Sequence, residues 1–172
     1  MKKKSPEYIS NGLILALVLM VVDLIGGFAH LRFETWFKWL PALIIIGCLI
    51  VFCIQFGKQQ TDGVTFGKVF GFGFKITAFI ALLMFVYTLL SLFLIFPELK
   101  DQILVRTRTD MEAKGTYSQE TIDQAVTMTG KFFLPFAIIG SVIGTFFIGT
   151  IGSLLGAAFT KKREPDVFLD KP

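Results

Sequence analysis

From Phe132 to Phe159 the chain runs for 28 residues without a charged side chain. A helix of that length spans about 42 Å at 1.5 Å per residue, more than the roughly 30 Å hydrocarbon core of a bilayer. Three further apolar runs precede it, at about residues 9–29, 40–56 and 69–96; Asp23 and Lys75 are the main interruptions. An average soluble domain carries roughly 25% charged residues. Here the figure is 17%, and nearly all of those charges lie outside the four runs. In hydrocarbon every backbone polar group must be satisfied within the protein, so such runs can only be helices. The expected fold is an all-α, four-helix transmembrane bundle forming one integral domain.

The last run also carries small residues four apart. One ladder is Ser141, Thr145, Gly149, Ser153 and Ala157; a second beside it is Gly140, Gly144, Gly152 and Gly156. Residues four apart share a helix face, and small faces let membrane helices approach closely. Gly140, Gly144, Gly149, Ser153 and Gly156 are therefore the expected packing positions. One ladder should meet the first helix, whose Gly12, Ala16 and Gly27 suit it. The other should meet the third helix or another subunit.

The connectors differ in character. Residues 30–39 place Trp36 and Trp39 beside Arg32, Glu34 and Lys38, which suits a bilayer interface. Pro41 is expected in the first turn of the second span. Thr65 is a plausible N-cap, and Gly67, Gly71 and Lys75 share one stripe at the start of the third span, where Lys68 and Lys75 can reach the headgroups. Residues 97–131 form the one long polar stretch. Gly115 fits a helix stop and Ser118 a helix start, so a short extramembrane helical hairpin is expected there. Pro135 marks the expected joint with the fourth span, and residues 161–172 read as a disordered tail. The first run also has the basic start and small-residue end of a cleavable signal peptide, but its small residues on one face favour a retained helix.

Ten basic residues lie on the N-terminal side of the membrane and seven on the other. By the positive-inside rule both termini are cytoplasmic and the hairpin is outside. The net charge of +4 is then a matter of orientation and lipid attraction, and no nucleic-acid motif accompanies it.

No catalytic, cofactor-binding or metal-ligating motif occurs, so the chain reads as a non-enzyme without cofactors. Cys48 and Cys53 point to different sides of one helix and cannot bridge. Asp23 is the one acidic residue inside a span, and such residues are costly and often functional. Tyr87, Thr88 and Ser141 fall at similar depth and are its expected hydrogen-bond partners. Lys75 lies near the other end of the membrane. Asp23, Lys75, Tyr87 and Ser141 are the polar candidates for function.

Phe66-Gly67-Lys68-Val69-Phe70, the segment from Glu98 through Asp101-Gln102-Ile103-Leu104, Met111-Glu112-Ala113-Lys114-Gly115 and Ser118 to Ala125 together resemble the bacterial membrane family called domain of unknown function 4199. The resemblance implies four spans in a bacterial membrane and no known activity. The expected function is interaction or assembly through the hairpin, with the bilayer, a second copy, or a membrane or periplasmic protein as partner. The alternative is a small transporter or channel with Asp23 as a proton or cation site.

Overall fold

The computed structural model describes residues 7–60 and 63–161. Its elements are five helices: α1 (Glu7–Phe28), α2 (Thr35–Gln59), α3 (Phe66–Leu90), α4 (Leu99–Lys114) and α5 (Gln119–Phe159). A 3-10 turn over Leu31–Phe33 links the first two, and a π-helical turn over Ser91–Ile95 prolongs α3. The fold is all-α. Helices α1, α2, α3 with its extension, and α5 are each long and apolar enough to cross a membrane. Lys2 to Lys4, Asp62 and the tail from Lys162 onward lie outside the described residues.

Residue contacts divide the chain into two compact units: Met1–Met84 with Ile143–Pro172, and Phe85–Val142. In the first unit, α1, α2 and α3 share an apolar core. Leu15 and Leu19 of α1, Ile45 and Leu49 of α2, and Phe72, Ile76 and Ile80 of α3 are buried together. Phe56 and Phe72 stack with ring centroids 4.1 Å apart and planes at 7°. Many other large apolar side chains point outward, among them Leu13, Ile14, Leu17, Leu43, Leu82 and Phe147. An outward apolar surface of this kind suits lipid, which removes the drive to bury it.

The second unit is a helical hairpin. Helix α4 ends at Gly115, whose φ of 64° is left-handed and whose N–H bonds the Glu112 carbonyl at 3.0 Å. This is a glycine C-terminal cap. Ser118 Oγ accepts the Thr121 N–H at 3.3 Å and starts α5. The chain turns back so that Leu104 lies against Gly130 and Arg108 Nη2 donates to Asp123 Oδ1 at 2.5 Å. Ile122 is buried, and Ala125, Val126 and Thr129 share its shielded face.

Two boundaries differ from the sequence reading. Helix α2 begins at Thr35, so Trp36 and Trp39 belong to the helix instead of a connector. Pro41 is then inside α2, past its first turn. The proline removes a single backbone donor there, and the helix continues because Phe37, one turn earlier, is buried against Gly26 of α1. The second difference is that α5 is one helix from Gln119 to Phe159. Pro135 is no joint. No residue in the stretch before it, Thr127-Met128-Thr129-Gly130-Lys131, stops a helix firmly, and the packing of Leu104 against Gly130 supports the helix there.

Candidate functional site

Three places in the molecule gather side chains with something to do. The first is the turn between α1 and α2. His30 takes a left-handed conformation, φ 57° and ψ 23°, and its N–H bonds the Gly27 carbonyl at 3.3 Å. Glu34 is extended and its N–H returns to the Leu31 carbonyl at 2.9 Å. This compact reversal swings Arg32 back over the end of α1, where its Nη2 donates to Asp23 Oδ2 at 2.5 Å. The Arg32 side chain is 15% exposed and that of Asp23 35%. A guanidinium against a carboxylate lowers the cost of placing either charge in an apolar surrounding. Sequence reasoning missed Arg32, because it assigned the residue to an interface anchor. The signal was the nine-residue spacing across a tight turn.

Of the other polar candidates, Tyr87 is buried, and Ser141 donates its hydroxyl to the Ile138 carbonyl at 2.9 Å. Lys75 is exposed on α3 and lines a cleft with Lys68, Gly67 and Gly71.

The second place is where α2, α3 and α5 cross. Ser153 Oγ donates to the Gly149 carbonyl at 2.7 Å, and Thr77 Oγ1 donates to the Gly73 carbonyl at 3.1 Å. The two hydroxyls face each other at 3.4 Å across the helix pair. Ser153 and Thr77 are both buried. A methyl group added at Gly149 would overlap the Thr77 side chain. One added at Gly156 would come within 2.7 Å of Cys53 Cβ and 3.2 Å of the Leu49 carbonyl oxygen. At Gly152 it would meet Leu49 and, at 3.2 Å, Ile46 Cα. From Gly149 onward the ladders therefore serve α2 and α3. For Gly12 of α1 the expected packing against the last helix is corrected: Phe79 of α3 occupies the space beside it. A pattern along one helix reveals a small face but not which neighbour fills it. Positions 140 and 144 differ again, since an added methyl group there meets nothing within 4 Å. Cys48 and Cys53 are both free.

The third place is the hairpin. Helix α4 buries no residue. Its surface is laced with charge pairs one turn apart, Arg106 to Asp110 at 3.6 Å and Arg108 to Glu112 at 3.9 Å. Beside them lies an apolar groove of about 580 Å³, lined by Ile103, Met128, Phe132 and Phe136 among others.

Among the described residues no three His, Cys, Asp or Glu side chains are grouped to hold a metal ion. What remains is lipid-suited helices, a glycine-mediated crossing and spans that carry few charges. These define a helical membrane protein with four helices able to span. Residues 10–162 match the family described as protein of unknown function (DUF4199), and the chain belongs to that family. No curated protein and no solved structure matches it.

Proposed function

We propose that the chain is a non-enzymatic membrane protein that uses the α4–α5 hairpin to bind a second copy of itself or another membrane protein. The observation behind this reading is the hairpin's composition. It combines a helix with no fully buried residue with an apolar groove and mixed-sign charges. Val105 and Met128 are 66% and 62% exposed there. A polar rim around an apolar centre is the usual make-up of a recognition surface.

In a bacterial cytoplasmic membrane, the distribution of Lys and Arg supports cytoplasmic termini and an external hairpin.

Photo-crosslinking groups at positions 105 and 128, activated in intact membranes, test the proposal. A discrete adduct, either a dimer or one defined partner, is the expected outcome. Absence of any adduct from both positions, with protein present at normal levels, refutes it.

The second reading assigns Asp23 to a proton or cation path. The Arg32 contact at 2.5 Å weighs toward a structural pair, because the guanidinium must swing away before the carboxylate can accept a cation. Flux into proteoliposomes that an Asp23→Asn change abolishes, with folding intact, would favour transport.

A further inference from the structure

We infer that the cleft between the starts of α1 and α3 is a binding site for one acidic phospholipid. The cleft holds about 540 Å³, within the usual range for a site that encloses a small molecule. Its floor is the stacked pair of Phe56 and Phe72. One wall belongs to α3 and carries Lys68 and Lys75. These two lie seven residues apart, two helical turns or about 10 Å along the axis. Both side chains are exposed, and neither ammonium is in an ion pair among the described residues. Lys68 Nζ donates to the Gly63 carbonyl at 3.5 Å, which leaves it further N–H groups for a ligand.

The facing wall is the first turn of α1, with Glu7 and Tyr8. The Glu7 carboxylate has a partner in Gln59, whose amide nitrogen, correctly oriented, donates to its two oxygens at 2.8 and 3.0 Å. Among the described residues the cleft therefore presents two ammonium groups to a guest, against one carboxylate that already has a partner. A phosphate lying between Lys68 and Lys75 is the complementary charge.

The rest of the cleft fits an amphiphile rather than a free anion. Gly71 lies between the two lysines along the helix and Gly67 beside Lys68, and a methyl group added at either glycine meets nothing within 4 Å. These glycines differ from Gly149 and Gly156, because no neighbour in the chain fills the space they keep. Beside them Phe66, Phe70 and Phe74 form an aromatic row, with centroids 6.3 and 5.9 Å apart, and Phe66 and Phe74 face outward. A lipid can lay its headgroup on the lysines and its acyl chains along the phenylalanines. The start of a spanning helix is also the depth at which headgroups lie.

The test uses the full chain in detergent, with bound lipid counted by native mass spectrometry after exchange with phosphatidylglycerol or phosphatidylcholine. The expected result is one retained phosphatidylglycerol, preferred over phosphatidylcholine by roughly thirtyfold, the effect of two lysines at the membrane surface. Lys68→Gln with Lys75→Gln should bring the preference close to one, while Lys68→Arg with Lys75→Arg keeps it. Gly71→Leu fills the cleft and should abolish retention of either lipid. Its melting temperature in lipid-free detergent should not fall, since the added side chain enters open space and a helical glycine is removed. Equal retention of the two lipids by the unaltered chain overturns the inference. So does a preference that survives the double glutamine change. Displacement of the lipid by millimolar glycerol phosphate would make the guest a free phosphate, and also overturns it.

Discussion

The crossing of α5 on α2 and α3 makes a prediction that separates glycines by their surroundings. In Gly149→Ala the new methyl group would lie 2.6 Å from Thr77 Oγ1 and 3.0 Å from Thr77 Cβ, with Cγ2 closer still. Thr77 cannot turn away cheaply. It is 1% exposed, and its hydroxyl is bonded to Gly73 and faces Ser153. Overpacking of a filled core costs about 1–3 kcal/mol. Replacing a helical glycine with alanine returns about 0.5–1 kcal/mol, so the net effect is a loss of up to about 2.5 kcal/mol, centred near 1. Gly144→Ala meets nothing within 4 Å and receives the helical gain alone. The two substitutions, chemically identical and five residues apart, should move stability in opposite directions. Thr77→Ala removes both of the nearest overlapping atoms. Combined with Gly149→Ala it should recover most of the loss, with a coupling energy of about 1–2 kcal/mol in a double-mutant cycle. Reversible unfolding in mixed micelles, followed by circular dichroism, measures all four variants. If Gly149→Ala and Gly144→Ala shift stability alike, or if the Thr77 change leaves the Gly149 variant unrepaired, the close crossing is wrong.

Other contacts give sharper or weaker effects. Arg32→Ala should destabilise by about 1–3 kcal/mol, because it removes the charge-assisted contact to the half-buried Asp23 carboxylate, and Arg32→Ala with Asp23→Ala should recover part of that in the same unfolding assay. Arg108→Ala removes the 2.5 Å contact to Asp123, yet both side chains are largely exposed. The loss should stay under about 1 kcal/mol and shrink in high salt, as urea titrations at two salt concentrations would show. Gly115→Ala forces a left-handed φ of 64° on a residue with a Cβ and should cost about 1 kcal/mol. Amide exchange near the end of α4 should then speed up while exchange in α2 stays unchanged.

The sequence made the four spans legible because length and charge exclusion act on each segment alone. A run of apolar residues long enough for the bilayer has one low-energy answer, whichever helices surround it. The hairpin was legible for a similar reason: Gly115 and Ser118 punctuate the chain through local backbone geometry. The boundaries that moved were those decided by tertiary support. Thr35 to Trp39 read as an interface anchor, and became helix because Phe37 found Gly26. The segment before Pro135 read as a break, and became continuous helix beside Leu104.

Contacts between segments were the least legible, and the reason is dimensional. A ladder such as Gly149, Ser153 and Ala157 states that some backbone or side chain comes close. It carries no record of the partner's register. Gly149 and Gly67 look alike in the sequence, both on small-residue stripes within apolar helices. In the structure Thr77 occupies the space beside one, while the space beside the other is bounded by two lysines and left open. That difference assigns them separate roles: Gly149 holds helices together, and Gly67 leaves space for a guest. The same reasoning applies to Asp23. Its depth in the membrane was readable, but Arg32 becomes a candidate only once His30 adopts φ 57° and turns the chain back on itself. An ionisable residue in a span thus takes its role from the nearest turn as much as from the bundle around it.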